Sequence, residues 1–72
     1  SRTYYRVLRR IVIEGQNRRQ LRTDVSVNEI IKAYAMLERA MIYDWCICNV
    51  DYSLYQYSGT ELPLFLRAYK AQ

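Results

Sequence analysis

Apolar residues recur at helical spacing from about residue 3 to residue 16, which predicts a first helix over this range. One side of this helix is apolar and consists of Tyr4, Tyr5, Val7, Leu8, Ile11 and Val12. Four arginines fall on the opposite side. Gly15, with Asn17 close behind it, predicts the end of the helix, because glycine favours the left-handed backbone that often follows a last turn. A polar loop is expected to follow, up to Val25.

The second helix has the clearest start in the chain. Residues 26–29 read S-V-N-E and form a capping box. In this motif Ser26 accepts a hydrogen bond from the Glu29 amide, and Glu29 reaches back to the Ser26 amide. Neither glycine nor proline interrupts the sequence from there to about Cys48. We therefore predict a helix over 26–48, some 33 Å long.

Two sides of the second helix are apolar. The wider side contains Val27, Ile30, Ile31, Tyr34, Leu37, Met41, Ile42 and Trp45. The narrower side contains Ala33, Met36, Ala40 and Ile47. Only two other helices are available to cover them, so we expect a partner outside the chain on one side. Glu38 lies within the wider side, where it is expected to reach the rim or pair with an arginine. The alternative for Glu38 is a polar contact in a ligand pocket or across a subunit interface.

The last third of the chain begins with a tyrosine-rich segment, residues 49–60, which we expect to be an ordered loop with at most a short helical turn. A third helix is predicted over about 61–70, with Pro63 tolerated in its first turn. Leu62, Phe65, Leu66 and Tyr69 share one face of it. The expected fold class is therefore all-α, with three helices.

Composition excludes several classes of function. The chain has 72 residues, which is one domain at most, and it contains no histidine. Cys46 and Cys48 form a lone C-x-C without a second ligand cluster, so no metal or cofactor is expected. No nucleophile and base converge, which argues against an enzyme and leaves no candidate catalytic residue. Unpaired cysteines favour a reducing cytoplasm. The sequence has neither a membrane-spanning stretch nor a signal peptide.

Charge is distributed unevenly along the chain. Residues 1–22 contain seven arginines and one glutamate, whereas residues 23–72 contain four basic and six acidic groups. The net charge of +4 therefore resides in the first helix and the loop after it. One interpretation is a small basic helical module that binds nucleic acid through phosphate contacts. A solvated basic face is the simpler interpretation, because Tyr4 and Tyr5 lie on the apolar side and do not alternate with the arginines. A basic amphipathic helix at a membrane surface is a further alternative.

Three motifs, in a fixed order, resemble the C-terminal domain of TetR/AcrR-type bacterial transcriptional regulators. Residues 14–24, EGQNRRQLRTD, resemble the family's "eGQ..Ge.R.D" connection between its seventh and eighth helices. Residues 40–45, AMIYDW, resemble the "G-l-i-x-d-W" near the end of the eighth helix. Residues 52–54, YSL, resemble the "F-D-L" that follows it. The resemblance covers most of the chain.

The chain departs from the family pattern at three positions. Arg19 and Ala40 stand where the family often has glycine, and Ser53 stands where it has aspartate. The resemblance implies an all-helical protein whose N-terminal helix-turn-helix domain reads operator DNA and is absent from this chain. Residues 1–72 would then be part of one C-terminal regulatory domain, cut from a longer cytoplasmic protein.

The resemblance also implies partners. The family's C-terminal domain binds a small-molecule effector and forms a homodimer, commonly through a four-helix bundle of the last two helices of each subunit. Candidate interface residues are Tyr34, Leu37, Met41, Ile42, Trp45, Leu62, Phe65, Leu66 and Tyr69. Candidate effector-binding residues are Tyr4, Leu8, Ile11, Met36 and Glu38.

Overall fold

The computed structural model describes residues 2–72, and its regular secondary structure is helical. Helix α1 spans Arg2–Asn17, α2 spans Val27–Ile47 and α3 spans Leu54–Leu66, and a 3-10 turn, Arg67–Tyr69, follows α3 directly. No strand forms in this part of the chain, apart from one isolated antiparallel backbone pairing. The predicted all-α class with three helices is thus confirmed.

The start of α2 follows from its capping residue. Ser26 has an extended backbone, and its Oγ accepts a hydrogen bond from the Glu29 amide at 3.1 Å, as predicted. The Ser26 hydroxyl also bonds to Glu29 Oε1 at 3.1 Å. The Glu29 side chain therefore returns to the cap through the hydroxyl. The helix also has a glutamate in its first turn, where a negative charge is favourable.

The first helix ends within a residue of its predicted end, but Gly15 is not the residue that terminates it. The helix continues to Asn17, and the left-handed residue of the following turn is Arg19, with φ 58°. Gly15 is buried inside α1 because the side chain of Leu21 packs against it. The Gly15 carbonyl accepts hydrogen bonds from the amides of Gln20 and Leu21, at 2.8 and 3.0 Å. The glycine therefore permits a close approach of the loop and is not the terminal cap.

The predicted loop over 49–60 was wrong in its second half, since α3 begins at Leu54 and not near residue 61. Ser53 is the N-cap, and its Oγ accepts from the Gln56 amide at 3.1 Å. Pro63 therefore lies well inside the helix, where it lacks the amide of one helical hydrogen bond. The helix ends three residues later, and the last stretch up to Tyr69 is a 3-10 turn where α-helix was predicted.

The core lies where α1 crosses α2. Val12, Ile30 and Ile31 form its buried centre. Five half-buried side chains pack around them: Leu8, Leu21, Val25, Val27 and Tyr69. Beyond this cluster, only Ala35 and Met41 are buried among the apolar residues that the structure describes. The core therefore combines side chains from both helices, the connection between them and the 3-10 turn.

The chain exposes more surface than a folded monomer of its size. Its radius of gyration is 13.6 Å, whereas a compact domain of this length has about 11 Å. Its accessible surface is 5805 Å² at a mass of 8.7 kDa, whereas monomers of this mass expose about 4,700 Å². The surplus, about 1,100 Å², exceeds the roughly 800 Å² that each partner buries in a standard interface.

Candidate functional site

The connection between α1 and α2 is held by the side chain of Gln16. Its Nε2 donates to the carbonyls of Arg22 and Val25, at 3.1 and 2.7 Å. These two bonds fix both ends of a segment that has no regular secondary structure. Both bonds are partly buried, so the two carbonyls are partly shielded from water. Without Gln16 they would lose a hydrogen-bond partner that water replaces only in part.

The same connection binds the C-terminal end of the chain. The Arg22 amide donates to the Tyr69 carbonyl at 2.8 Å, and the Ala71 amide donates to the Gln20 carbonyl at 3.0 Å. The Arg22 guanidinium forms two bonds to Asp24, at 2.6 and 2.7 Å, and a third to the Ala68 carbonyl at 3.2 Å. These bonds from Arg22 lower the pKa of Asp24. We call residues 15–24, with these contacts, the clamp.

An apolar groove runs between α1, α2 and the end of α3. It encloses about 230 Å³ and is lined by Leu8, Ile11, Val12, Leu21, Ile30, Tyr34, Leu66 and Tyr69. It continues along α1 into a second hollow lined by Thr3, Tyr4, Val7, Leu8, Ile11 and Tyr34. The walls are almost entirely apolar, and they include the rings of Tyr4, Tyr34 and Tyr69. A groove of this kind suits an apolar molecule with a few polar groups, or an apolar side of another helix.

The groove brings together residues from both predicted sites. Tyr4, Leu8 and Ile11 were predicted to face an effector, and they line it. Tyr34, Leu66 and Tyr69 were predicted to lie in a dimer interface, and they line the same groove. Met36, the other apolar effector candidate, does not line it; its side chain is exposed, and helical geometry places it on the side of α2 away from Tyr34.

Glu38 ties α2 to the beginning of α1. Its carboxylate accepts a hydrogen bond from the Tyr4 hydroxyl. The next residue repeats the contact, because Arg39 Nη1 donates to the Tyr5 hydroxyl at 2.9 Å. The partial burial of Glu38 raises the pKa of its carboxyl group. Glu38 is half-buried and has a tyrosine as its partner, not an arginine. Its role in a ligand pocket or at a subunit interface stays a prediction.

The remaining interface candidates lie between α2 and α3. Met41 is buried, Leu37, Trp45, Leu62 and Phe65 are half-buried, and Ile42 is exposed. Glu38, Met41, Ile42, Leu54, Ser58 and Leu62 line a small cavity of about 150 Å³. Trp45 Nε1 donates to the Tyr52 carbonyl at 2.7 Å and so holds the turn that leads into α3. Much of the wider apolar side of α2 is thus occupied by contacts within the chain.

The narrower apolar side of α2 faces away from the core. On a helix with 100° between residues, Ala33, Met36, Ala40, Tyr43 and Ile47 share this side, which is centred opposite the midpoint of Ile30 and Ile31; Ala33, at its edge nearest Ile30, is half-buried. We call these five residues the outer strip. Tyr43 was not predicted to belong to this side. Its position, three residues after Ala40 and four before Ile47, is the helical spacing that could have identified it.

The basic surface is displayed along α1 and the clamp. Arg2, Arg6, Arg9, Arg10, Arg18 and Arg19 are exposed. Arg9 Nη1 donates to Asn28 Oδ1 at 2.8 Å. Tyr4 and Tyr5 contact each other edge to face, with ring centroids 5.0 Å apart, and their hydroxyls bond to α2. These rings do not form a stacking platform between the arginines.

Within residues 2–72, no group of three or more His, Cys, Asp or Glu side chains is arranged to hold a metal ion. None of the helices in this range is both long enough and apolar enough to cross a membrane.

Comparison of the chain with models of protein families, with curated proteins and with solved structures finds no match.

Proposed function

We propose that this chain is the C-terminal segment of a TetR-type transcriptional regulator, where it contributes to dimerisation and to one wall of an effector pocket. The clamp carries this proposal. It is built from the residues that resemble the family motif, and each has a distinct physical task. Gly15 admits Leu21, Gln16 bonds two loop carbonyls, and Arg22 binds Asp24 and the end of the chain.

Arg19 departs from the family pattern, and its backbone conformation also supports the proposal. The family often has glycine at this position, and Arg19 has φ 58°, a conformation that favours glycine. The backbone that the family's glycine would require is therefore present in this chain although the residue is not glycine. This agreement is independent of the sequence letters at the other motif positions.

The surplus of exposed surface supports a role inside a larger assembly. A chain this small has little core of its own, and this one leaves two apolar surfaces uncovered, the groove and the outer strip. In a regulator of the proposed type, upstream helices and an effector would cover one of these surfaces. A second subunit would cover the other.

The groove is the proposed effector side. In the whole protein, upstream helices would close it, and a small, mostly apolar molecule would bind against Leu8, Ile11 and Tyr34. Dimerisation would use α2 and α3 in an intersubunit four-helix bundle. Operator DNA would be bound through a helix-turn-helix domain outside residues 1–72.

A basic module that binds nucleic acid is the second candidate, favoured by the six exposed arginines of α1 and the clamp. The two proposals differ in a direct test. Binding of a short fluorescent DNA duplex is measured by anisotropy at low and at physiological salt. The regulator proposal expects weak binding by this chain alone, unchanged between unrelated sequences.

Tight binding that falls steeply with salt and is abolished by reversing the charges of Arg6, Arg9 and Arg10 would favour the module and contradict the regulator proposal. The coding sequence upstream of Ser1 gives an independent test. A helix-turn-helix within it supports the proposal, and an unrelated domain contradicts it.

A further inference from the structure

We infer that a hollow between the end of α2 and the first turns of α3 binds a small organic cation with two ammonium groups. Asp44 on α2 and Glu61 on α3 bring carboxylates to its walls, and Tyr52 and Tyr57 bring aromatic rings. We call this site the polar hollow. Its volume is about 500 Å³, which is within the range of small-molecule sites. The polar hollow shares no lining residue with the apolar groove, so the inference goes beyond the proposed function.

The surroundings of the polar hollow are negatively charged, although the chain as a whole is positive. Residues 40–66 contain three acidic side chains, Asp44, Asp51 and Glu61, and neither lysine nor arginine. Among residues 2–72, the one ion pair lies in the clamp, so neither carboxylate of the hollow is paired with a basic side chain. Asp44 also lies in the last turn of α2, where the helix dipole favours a positive charge. The local field therefore attracts a cation.

The Asp44 carboxylate is held in place by neutral groups. The Tyr52 hydroxyl donates to Asp44 Oδ2 at 3.0 Å, and Cys48 Sγ donates to the same oxygen at 3.8 Å. Burial, together with the bond to Asp44, raises the pKa of Tyr52 to about 12, so its hydroxyl keeps the proton at neutral pH. Neither donor carries a positive charge, and both use Oδ2. These bonds orient the carboxylate without cancelling its charge.

Two aromatic rings complete the polar hollow. Tyr52 and Tyr57 contact each other edge to face, with ring centroids 5.8 Å apart and an angle of 65° between the ring planes. The face of a tyrosine ring attracts an ammonium group, and the attraction grows where water is partly excluded. Tyr52 is half-buried, and Tyr57 is 49% exposed. The rings therefore offer a surface for the hydrocarbon part of a ligand as well as for its charge.

The chemistry of the walls favours an organic cation over a metal ion. Within residues 2–72, no three His, Cys, Asp or Glu side chains are grouped as a metal ion would require. The remaining lining residues are the neutral Ser53, Gln56 and Thr60, whose side-chain oxygens can accept hydrogen bonds from ammonium groups. Because the two carboxylates come from different helices, a ligand with two cationic ends can contact both. A diamine meets this requirement.

Isothermal titration calorimetry of the 72-residue chain with putrescine tests the inference, and butylamine and butanediol are the matched probes with one charge and none. Asp44→Asn and Glu61→Gln each remove one carboxylate of the polar hollow. The asparagine at position 44 retains an oxygen that can accept from the Tyr52 hydroxyl. Asp51→Asn makes the same charge change in the same acidic segment, at an exposed residue that does not line the hollow. Circular dichroism of each variant checks that the helices are retained.

A second pair of variants tests the aromatic wall. Tyr57→Leu removes a ring of the polar hollow and keeps an apolar side chain. Tyr55→Leu makes the same change two residues earlier, at a side chain that is 87% exposed and does not line the hollow. Loss of one cation–π contact should weaken putrescine binding about two- to fivefold in Tyr57→Leu. Tyr55→Leu should bind as the parent chain does.

We expect putrescine to bind more tightly than butylamine, and butanediol not to bind. Asp44→Asn and Glu61→Gln should each weaken putrescine binding about threefold or more, because each removes a charge-assisted contact. Asp51→Asn should weaken it less than about twofold, since salt screens a charge outside the site. A parent chain that binds no putrescine, or binds butanediol equally well, would overturn the inference. Equal losses for Asp51→Asn and Asp44→Asn would also overturn it, because the attraction would then belong to the acidic segment as a whole.

Discussion

Leu21 packs so closely on Gly15 that a Cβ atom at position 15 would lie 2.7 Å from Leu21 Cδ1 and 2.8 Å from Cγ. This contact lets the chain turn back over the last turns of α1 and reach the end of α3. The clamp therefore depends on the absence of a side chain at one residue inside a helix. That dependence gives the first prediction.

Gly15→Ala should destabilise the chain by about 1 kcal/mol. The gain in helix propensity, about 1 kcal/mol, is smaller than the cost of displacing Leu21, about 1–3 kcal/mol. Gly59→Ala is the matched control, because Gly59 lies inside α3 with no neighbouring atom within 4 Å of a Cβ. It should stabilise the chain by about 0.5–1 kcal/mol. Urea denaturation at a fixed chain concentration measures both, and equal shifts of one sign would contradict the packing at Gly15.

Gln16→Glu keeps the shape of the side chain but removes both hydrogen atoms donated to the Arg22 and Val25 carbonyls. A carboxylate in that place faces two carbonyl oxygens, so we expect a loss of about 2–3 kcal/mol in the free energy of unfolding. Gln20→Glu, at an exposed position of the same connection, should change it by less than about 0.5 kcal/mol. Similar losses for the two variants would show that Gln16 does not hold the connection.

Arg19→Gly should stabilise the chain, by up to about 1 kcal/mol. The left-handed conformation costs an ordinary residue about 1–2 kcal/mol, and glycine recovers this while losing some entropy on folding. Arg18→Gly removes the same side chain one residue earlier, outside the left-handed region, and should destabilise the chain by a few tenths of a kcal/mol or more. Thermal denaturation of both variants measures these changes in stability. A lower melting temperature for Arg19→Gly than for Arg18→Gly would contradict the predicted cost of the left-handed conformation at Arg19.

Glu38→Gln should change the pH dependence of stability. The raised pKa of Glu38 means that its neutral form is favoured in the folded chain. The stability that Glu38 contributes is fully present below its pKa in the unfolded chain, near 4.5. This stability is lost as pH rises through the higher pKa of Glu38 in the folded chain. The stability of Glu38→Gln relative to the parent chain should therefore increase between about pH 4 and pH 7.

The glutamine retains an oxygen that accepts from the Tyr4 hydroxyl, so the variant isolates the charge. Glu61→Gln removes a carboxylate from α3 and serves as the control for net charge. Urea denaturation across the pH range gives the difference for each variant. A difference for Glu38→Gln that stays constant or falls with rising pH would exclude the assigned effect.

The first two helices could be predicted because each has an uninterrupted periodic pattern, and α2 also has a capping box at Ser26. The beginning of α3 could not be predicted from the sequence. Residues 55–60, Y-Q-Y-S-G-T, combine two tyrosines with three polar residues and a glycine, which is typical of a loop. The Ser53 cap and contacts with α2 favour the helix there. Pro63 then misled the prediction, because proline is commoner in a first turn than inside a helix.

The candidate sites stay predictions, and the sequence could define them only in part. Helical spacing identified the two apolar sides of α2 but not which of them the chain itself would cover. That depends on how α3 returns across α2, and the late prediction of its start at residue 61 shortened the helix available to do so. Leu66 and Tyr69, predicted to lie in an interface, also line the groove. The contact between the C-terminal end and the clamp, through Arg22, has no signal in sequence periodicity.

Sedimentation equilibrium of the unmodified chain, over a wide range of concentrations and with its helical circular dichroism recorded in parallel, tests the claim that this chain belongs to a regulator and pairs with a second copy of itself. We predict a reversible monomer–dimer equilibrium, with the dimer dominant at the highest concentrations and no larger species. A helical monomer at every concentration would contradict the claim, since the exposed apolar strip of α2 would then need no second copy.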